Sequence, residues 1–190
     1  LSSSGPAPPS SRDGRARKRG PAGLVRGAEP LARVAVEILV EEHTVAPDPV
    51  APEKLAAKAL PPGYPGARSL STAIYYLITP KSFSRLHRLR SDEIFHFYLG
   101  DPVEFLLLSP EGKGTTAIVG PDIASGQRPL LVVPRGTWQG ARLVKGGKFT
   151  LLGTTMAPGF EYDDYEQARR SKLVEAFPAF EKIIGELSSR

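Results

Sequence analysis

The chain has no cysteine among its 190 residues, which excludes disulfides, thiolate metal ligands and a cysteine nucleophile. It also has no run of about 18 consecutive apolar residues, so the sequence predicts no membrane-spanning helix. Hydrophobic residues make up 41% of the chain, which is enough to bury a real core. The length suits one domain of about 100 to 200 residues with modest extensions.

Residues 29–190 carry no net charge, so the net charge of +5 belongs to the first 28 residues. Residues 1–28 carry six basic side chains and one acidic side chain, whereas the remaining residues carry 19 of each sign. Any attraction to a polyanion therefore belongs to this basic tail, which is rich in Pro, Ser and Gly. Such a composition buries too little surface to offset about 1 to 2 kcal/mol of backbone ordering per residue. We expect the tail to anchor the protein in a larger assembly, through an acidic protein surface or an RNA backbone.

The same tail carries the only hint of a compartment. Its Arg-rich, Ser-rich and acid-poor composition, in a chain that begins at Leu1, resembles the end of an organelle transit peptide. An ordinary basic linker is the alternative. The expectation is a mitochondrial or plastid protein after removal of a transit peptide, or otherwise a cytoplasmic one.

Residues 29–68 predict an N-terminal helix followed by an irregular linker. The apolar residues of EPLARVAVEILVEE, residues 29–42, recur at helical spacing, and Pro30 lies in the first turn. The proline-rich stretch that follows predicts a long connection, in which EKLAAKAL, residues 53–60, forms one short helix.

Residues 69–160 consist of short runs separated by Gly, Pro and Asp, which is typical of strands joined by turns. The eight predicted strands are STAIYYLI, FSRLHRL, EIFHFYL, VEFLLLS, TTAIVG, RPLLVVP, TWQGARLV and KFTLLGTTM. Residues 161–190 predict a C-terminal helical segment that packs on the barrel and is interrupted at Pro178. The fold prediction is an all-β core, as a sandwich or a closed jelly roll, with flanking helices.

One stretch inside these strands resembles a known motif. HRLRSDEIFHFYLG is similar to the first motif of the cupin superfamily, G-x5-H-x-H-x(3,4)-E-x6-G, and matches it at His87, Glu93 and Gly100. PRGTWQ resembles the core P-x-G-x-x-H of the second cupin motif and matches at Pro134 and Gly136. The resemblance implies an RmlC-like cupin jelly-roll barrel.

The resemblance extends over about residues 69–180 and includes APGFEYDDYE. Over this range the chain is similar to a branch of small single-domain cupins whose role is uncharacterised. That branch usually carries an upstream His-Pro-Glu-Gly-Gly-Tyr stretch, where this chain has LPPGYPGARS. We therefore carry over no ligand contacts from that segment.

Two departures affect the metal site that the resemblance implies, which uses two histidines and a glutamate from the first motif and a histidine from the second. Leu89 stands at the second position and Gln139 at the last. His87, Glu93 and Gln139 remain as weak metal candidates, whereas a stable transition-metal site needs three or four good donors. We expect no cofactor, and a divalent transition metal is the alternative.

Without a metal, the same residues predict a ligand-binding cluster of His87, Glu93, Gln139 and Arg85. Arg85 precedes His87 by two residues, which places both on one face of a regular strand. A carboxylate neighbour is expected to raise the pKa of His87 and to select its tautomer. If the protein is an enzyme, His87 and Glu93 are the catalytic candidates, and Gln139 or Arg85 stabilises a developing oxyanion. A purely structural role for the cluster is the remaining interpretation.

His96 is expected on the opposite face from Glu93, in a packing or inter-strand role, and Trp138 on the opposite face from Gln139. The functional hypothesis is a non-catalytic small-ligand-binding or accessory subunit, a pseudoenzyme held in an assembly by its tail. The alternative is an epimerase or isomerase of a polar, carbohydrate-like molecule. A homodimer is a further expectation.

Overall fold

The computed structural model describes Asp48–Pro49 and residues 53–188. Its strands are β1 (Asp48–Pro49), β2 (Lys54–Leu55), β3 (Arg68–Ser69), β4 (Thr72–Ile78), β5 (Ser84–Arg88), β6 (Glu93–Gly100), β7 (Val103–Leu108), β8 (Gly114–Val119), β9 (Leu130–Val133), β10 (Trp138–Leu143), β11 (Thr150–Met156) and β12 (Glu166–Gln167). Its α-helices are α1 (Arg170–Ala176) and α2 (Glu181–Ser188), and its 3-10 turns are Ala57–Ala59, Ile123–Ser125, Tyr162–Asp164 and Pro178–Phe180.

The strands form two five-stranded sheets, in which all pairs of neighbouring strands are antiparallel. The first sheet has the order β1-β4-β11-β6-β9, and the second has the order β12-β5-β10-β7-β8. β2 and β3 make a separate two-stranded pair. The eight predicted strands correspond to β4 through β11, and the prediction of an all-β jelly-roll core with flanking helices at the C-terminus is confirmed.

The main core lies between the two sheets. Alternate residues of each strand point inward, as period-two side-chain geometry requires. Phe95 of β6 and Phe105 of β7 meet there, with ring centroids 4.6 Å apart. The other buried members are Ile78, Val103, Val119, Leu131, Val133, Ala141 and Leu152.

A second core lies on the outer face of the second sheet, under the C-terminal helices. Leu106 and Leu108 of β7 are fully buried against Leu173 of α1 and Ile184 of α2. Because β7 is buried on both faces, its sequence VEFLLL is a nearly continuous apolar run instead of an alternating one. The predicted interruption at Pro178 is confirmed, since a 3-10 turn at Pro178–Phe180 separates the two helices. No helix in residues 53–188 is long and apolar enough to cross a membrane.

The prediction of a helix over EKLAAKAL is wrong. This segment holds β2, which pairs with β3, and then a single 3-10 turn at Ala57–Ala59. An eight-residue segment that ends at Pro61 gains too few helical hydrogen bonds to offset helix nucleation, whereas β2 finds a strand partner. The predicted helix over residues 29–42 and the basic tail, residues 1–28, lie outside the described residues.

The chain that follows β11 returns to the start of β4. The N–H of Gly159 donates to the Ser69 carbonyl at 2.8 Å, and the N–H of Phe160 donates to Thr72 Oγ1 at 3.0 Å. A Cβ added at Gly159 would lie 2.9 Å from Thr72 Cγ2, closer than real Cβ atoms approach other atoms. Glycine at this position therefore permits the close approach of the two segments.

A buried ion pair reinforces the same connection. Arg68 of β3 donates through Nε and Nη2 to the two carboxylate oxygens of Asp164, each at 2.7 Å. The side chains are 3% and 0% exposed, although 96 residues separate them in the chain. Two parallel hydrogen bonds satisfy the planar guanidinium and the carboxylate together. The pair holds the 3-10 turn Tyr162–Asp164 against the body of the barrel.

We expect Asp164→Asn or Arg68→Met to lower the free energy of unfolding by about 3 to 5 kcal/mol, because each leaves a buried polar partner uncompensated. Urea denaturation measures this loss. The matched control is Glu186→Gln, which removes one carboxylate from the partly exposed ion pair with Arg142. The control should cost less than about 1 kcal/mol. Similar losses in the buried and exposed variants would contradict the assignment.

Candidate functional site

A cavity of about 240 Å³, partly open to solvent, lies at the end of the barrel where β4 and β6 begin and β11 ends. Most of its wall is apolar, and the polar groups in it are few. The apolar lining consists of Ala73, Ile74, Leu89, Phe95, Met156 and Phe160, and the polar lining includes Thr72, Tyr76, Ser84, His87, Glu93 and Thr154. An apolar cavity with a few convergent polar groups is the usual form of a small-ligand site.

Glu93 of β6 is the buried acid of this cavity. Gln139 of β10 donates from Nε2 to Glu93 Oε2 at 2.6 Å, and the Thr154 hydroxyl donates to the same carboxyl group. Burial disfavours the charged form more strongly than these two hydrogen bonds favour it, and the pKa of Glu93 rises to about 7. Glu93 is therefore protonated in a large fraction of molecules at neutral pH.

His87 of β5 faces Glu93 across the cavity. Its Nδ1 lies 2.7 Å from the carbonyl oxygen of Arg85, and because a carbonyl only accepts, Nδ1 carries the proton. Nε2 then holds the lone pair of the neutral ring and lies 4.0 Å from Glu93 Oε2, beyond a direct hydrogen bond. Burial lowers the pKa of His87 below its ordinary value.

The expectation that Glu93 raises the pKa of His87 and selects its tautomer is wrong. Desolvation dominates the pKa of His87, and the Arg85 carbonyl selects the tautomer. The pKa of Glu93 consequently lies above that of His87, the reverse of the order in water. Near neutral pH the pair offers a carboxylic acid as proton donor and a neutral imidazole as proton acceptor.

Arg85 does not line the cavity, so its expected position on the face of His87 is wrong. Gln139 of β10 pairs with His87 of β5, and Ala141 of β10 pairs with Ser84 of β5. Between these two pairs β5 contains two residues and β10 contains one, so β5 has a β-bulge. The extra residue reverses which face of the sheet the side chains on either side of the bulge point to. Ser84 and His87 therefore point into the cavity, while Arg85 is exposed.

The structure brings His87, Glu93 and Gln139 together, as the sequence predicts, although Gln139 lies behind Glu93 and does not line the cavity. Trp138 packs under the C-terminal helices, on the opposite face from Gln139. His96 contacts Thr155 Oγ1 through Nε2 at 3.3 Å on the outer face of the first sheet. The predicted orientation of both side chains is confirmed.

Sequence reasoning missed the aromatic cover of the cavity. The ring of Tyr165 stacks on His87, with centroids 5.0 Å apart, and Phe160 and Tyr162 also line the cavity. These three residues belong to the segment after β11, and APGFEYDDYE was the only signal that pointed to it. Tyr76 of β4 also lines the cavity and hydrogen-bonds to Ser84.

The donor set does not fit a transition metal. Leu89 occupies the cavity wall where a second imidazole would be needed, and Gln139 presents an amide N–H group to Glu93 instead of an oxygen. One imidazole and one carboxyl group fall short of three or four good donors. Among the residues that the structure describes, no group of three or more His, Asp or Glu side chains is arranged to hold a metal ion.

Comparison with known proteins gives one family match, Cupin_5, described as the cupin superfamily (DUF985), over residues 39–168. The uncharacterized protein YML079W of Saccharomyces cerevisiae is 30% identical over 102 residues, which span 52% of this chain and 50% of the yeast protein. This chain thus matches about half the length of that curated relative.

Two solved structures share the fold over most of the chain. Protein SO0799 from Shewanella oneidensis is 31% identical, with a TM-score of 0.65, covering 83% of this chain and 97% of that one. A hypothetical protein from Leishmania major is 24% identical, with a TM-score of 0.67, covering 81% of this chain and 98% of that one.

The pKa of Glu93 predicts a pH-dependent stability. Between the ordinary value of 4.5 and about 7, the native state binds more protons at this residue than the unfolded state. The free energy of unfolding should therefore lose about 3 kcal/mol from Glu93 as the pH rises through this window. His87 contributes with the opposite sign, because its lowered pKa adds stability as the pH rises toward 6.5.

Comparing Glu93→Gln with the wild type isolates the contribution of Glu93. The difference in unfolding free energy, measured by urea denaturation from about pH 5 to about pH 8, should shift by about 2 to 3 kcal/mol in favour of the variant. Glu175→Gln removes an exposed carboxylate of α1 and controls for net charge. Parallel profiles for Glu93→Gln and the wild type would show that Glu93 titrates normally.

Proposed function

Since the chain belongs to the Cupin_5 (DUF985) family of the cupin superfamily, we propose that it binds a small, partly polar organic molecule in its barrel cavity without a metal ion. The observation that carries this proposal is the pairing of a protonatable Glu93 with a neutral His87 in a mostly apolar cavity that is partly open to solvent. Such a pair presents one hydrogen-bond donor and one acceptor to a ligand.

The geometry suits a hydroxyl group of the ligand. Glu93 Oε2 and His87 Nε2 are 4.0 Å apart, too far to bond each other directly. A ligand hydroxyl group between them accepts a hydrogen bond from protonated Glu93 at its oxygen and donates its O–H to Nε2 of His87, so that both side chains gain a hydrogen-bond partner. Leu89, Met156 and Phe160 then contact the carbon skeleton. The volume of about 240 Å³ lies below the roughly 300 to 1,000 Å³ of drug-sized sites, so the enclosed part of the ligand is small.

Proton transfer is the second candidate, favoured by the reversed pKa order. Nε2 of His87 would take a proton from a carbon next to a carbonyl group, while Glu93 gives its proton to the carbonyl oxygen and forms an enol. Return of a proton to the other face of the same carbon gives epimerisation. If that carbon carries a hydroxyl group, the intermediate is an enediol, and protonation of the former carbonyl carbon with loss of the neighbouring hydroxyl proton gives isomerisation. Gln139 and Arg85 do not serve as the oxyanion group, since Gln139 binds Glu93 and Arg85 lies outside the cavity.

A ligand-detected NMR screen of polyols, hydroxy-ketones and sugar acids tests binding. Ile74→Trp fills the cavity and should abolish binding of any hit. The matched control, Val132→Trp, places the same ring on the exposed outer face of the first sheet and should leave binding unchanged. His87→Ala and Glu93→Gln should each weaken binding by about tenfold, the equivalent of one hydrogen bond. If compounds bind Ile74→Trp as tightly as the wild type, the barrel cavity is not their binding site.

The same samples separate binding from catalysis when they are kept in D₂O. Exchange of a ligand C–H for deuterium that disappears in Glu93→Gln and His87→Ala establishes proton transfer. A ligand that binds without exchanging a C–H for deuterium supports binding without catalysis.

We further infer an accessory role in an assembly that the basic tail anchors, which the charge of residues 1–28 supports. Deletion of residues 1–28, or replacement of their six basic side chains by glutamine, should abolish co-purification of the partner without lowering the melting temperature. Unchanged co-purification would remove this role. The homodimer and the organellar location stay predictions.

A further inference from the structure

A second, more open groove adjoins the mouth of the cavity. It has a volume of about 530 Å³ and is lined on one side by Pro61–Tyr64 and on the other by residues of β5, by the turn before β10 and by the segment 163–166. Leu89 and Tyr165 line both the groove and the cavity, so these two residues form the boundary between them. The groove is polar where the cavity is apolar, and three of its lining residues are arginines.

Two of the carboxylates in the groove already have cationic partners. Asp164 is held by Arg68 from behind, through two hydrogen bonds of 2.7 Å. Glu166 is paired with Arg88 at 2.7 Å. Asp163 is the one further carboxylate in the lining, and it is exposed. Arg68 and Arg88 therefore balance most of this negative charge at 2.7 Å, and Arg90 adds a longer contact, with Nε 3.7 Å from Oδ1 of Asp164.

Apart from Arg88, the arginines that line the groove are Arg90 and Arg135. Arg90 donates from Nη1 to the Gly63 carbonyl at 2.8 Å, and its Nε lies 3.7 Å from Oδ1 of Asp164. These contacts orient the guanidinium and leave the N–H groups of Nη2 to donate to a ligand. The backbone N–H of Arg135 donates to the Asp92 carboxylate at 2.8 Å, and Gly136 beyond it adopts a left-handed φ of 77°. The turn thus holds Arg135 in place, and its side chain has no ion-pair partner among residues 53–188.

The size of the cavity connects the groove to the ligand. The cavity is smaller than a drug-sized site and shares Leu89 and Tyr165 with the groove, so a ligand that exceeds the cavity would extend past these two residues. The extending part would enter a groove in which the Arg135 guanidinium has no ion-pair partner among residues 53–188 and the Arg90 guanidinium is only partly engaged. Arginine binds carboxylate and phosphate groups through paired, parallel hydrogen bonds, which a neutral ligand group cannot match.

We propose that the ligand is an organic anion, whose uncharged polar part lies between His87 and Glu93 and whose phosphate or carboxylate group binds Arg90 and Arg135. This inference rests on the proposed binding function and names the class of ligand. It also separates the two charges, because the anionic group stays outside the cavity, away from the carboxyl group of Glu93.

Titration of the full chain with inorganic phosphate, and separately with acetate, followed by ¹H–¹⁵N NMR, tests the groove by itself. Phosphate should shift the backbone amides of Arg90, Arg135 and Gly136, a pattern that distinguishes the groove from the basic tail. The affinity at these amides should fall by at least about tenfold in Arg90→Ala/Arg135→Ala and in Arg135→Ala alone. Arg128→Ala, an exposed arginine outside both pockets, is the control and should bind as the wild type does.

The inference is overturned if phosphate causes no chemical-shift change at the groove amides, or if Arg90→Ala/Arg135→Ala binds phosphate as tightly as the wild type. Either result would count even if neutral molecules bind the cavity. A different result separates the two proposals. If no compound binds the wild-type cavity but phosphate still binds the groove, in the wild type and in Ile74→Trp alike, the proposed function is contradicted while the anion site stands. For cavity ligands, a matched pair such as glycerol and glycerol 3-phosphate gives the final comparison. The phosphorylated member should bind at least about tenfold tighter and lose that advantage in Arg90→Ala/Arg135→Ala, and equal affinities would overturn the link.

Discussion

The burial of the Glu93 carboxyl group between the two sheets is the constraint on which the candidate site depends. A carboxylate in a low-dielectric interior needs hydrogen bonds, a cation or a proton. Gln139 donates from the second sheet and Thr154 from the first, yet desolvation outweighs both and raises the pKa of Glu93 to about 7. The contact that joins the sheets at this level therefore also determines the protonation state of the acid. His87 experiences the same desolvation with the opposite effect on its charge.

The desolvation of Glu93 and His87 depends in turn on a contact that lies outside the cavity. Phe160, Tyr162 and Tyr165 cover the cavity, and all three belong to the segment that follows β11. Arg68 holds this segment through Asp164, and the stacking of Tyr165 on His87 continues the cover to the imidazole itself. If the segment moved away, water would reach Glu93 and His87, and both pKa values would return toward their ordinary range. An ion pair between residues 96 positions apart thus influences the chemistry of the cavity.

The parts of the fold that depend on local signals could be predicted, and the parts that depend on tertiary context could not. Strands β4 to β11 follow from alternating runs and turn residues, and the proximity of Glu93 to Gln139 follows from the resemblance to two cupin motifs. The direction of Arg85 could not be predicted, because a single extra residue in β5 reverses the alternation and no residue type marks it. EKLAAKAL has helical propensity, but pairing of β2 with β3 overrides it. The Arg68–Asp164 pair joins distant segments that carry no shared local pattern.

Leu89 and Gln139 change how the charge of Glu93 is balanced, in addition to reducing the number of metal ligands. With imidazoles at both positions, a bound divalent cation would hold the carboxylate in its ionised form by direct attraction. Here Leu89 belongs to the apolar wall, and Gln139 supplies only a neutral dipole. Because the dipoles lower the pKa of Glu93 less than burial raises it, a proton supplies the balancing charge near neutral pH. A protonated carboxyl group donates a hydrogen bond instead of coordinating a cation, so the chemistry available at this position in the barrel is that of a hydrogen-bond donor.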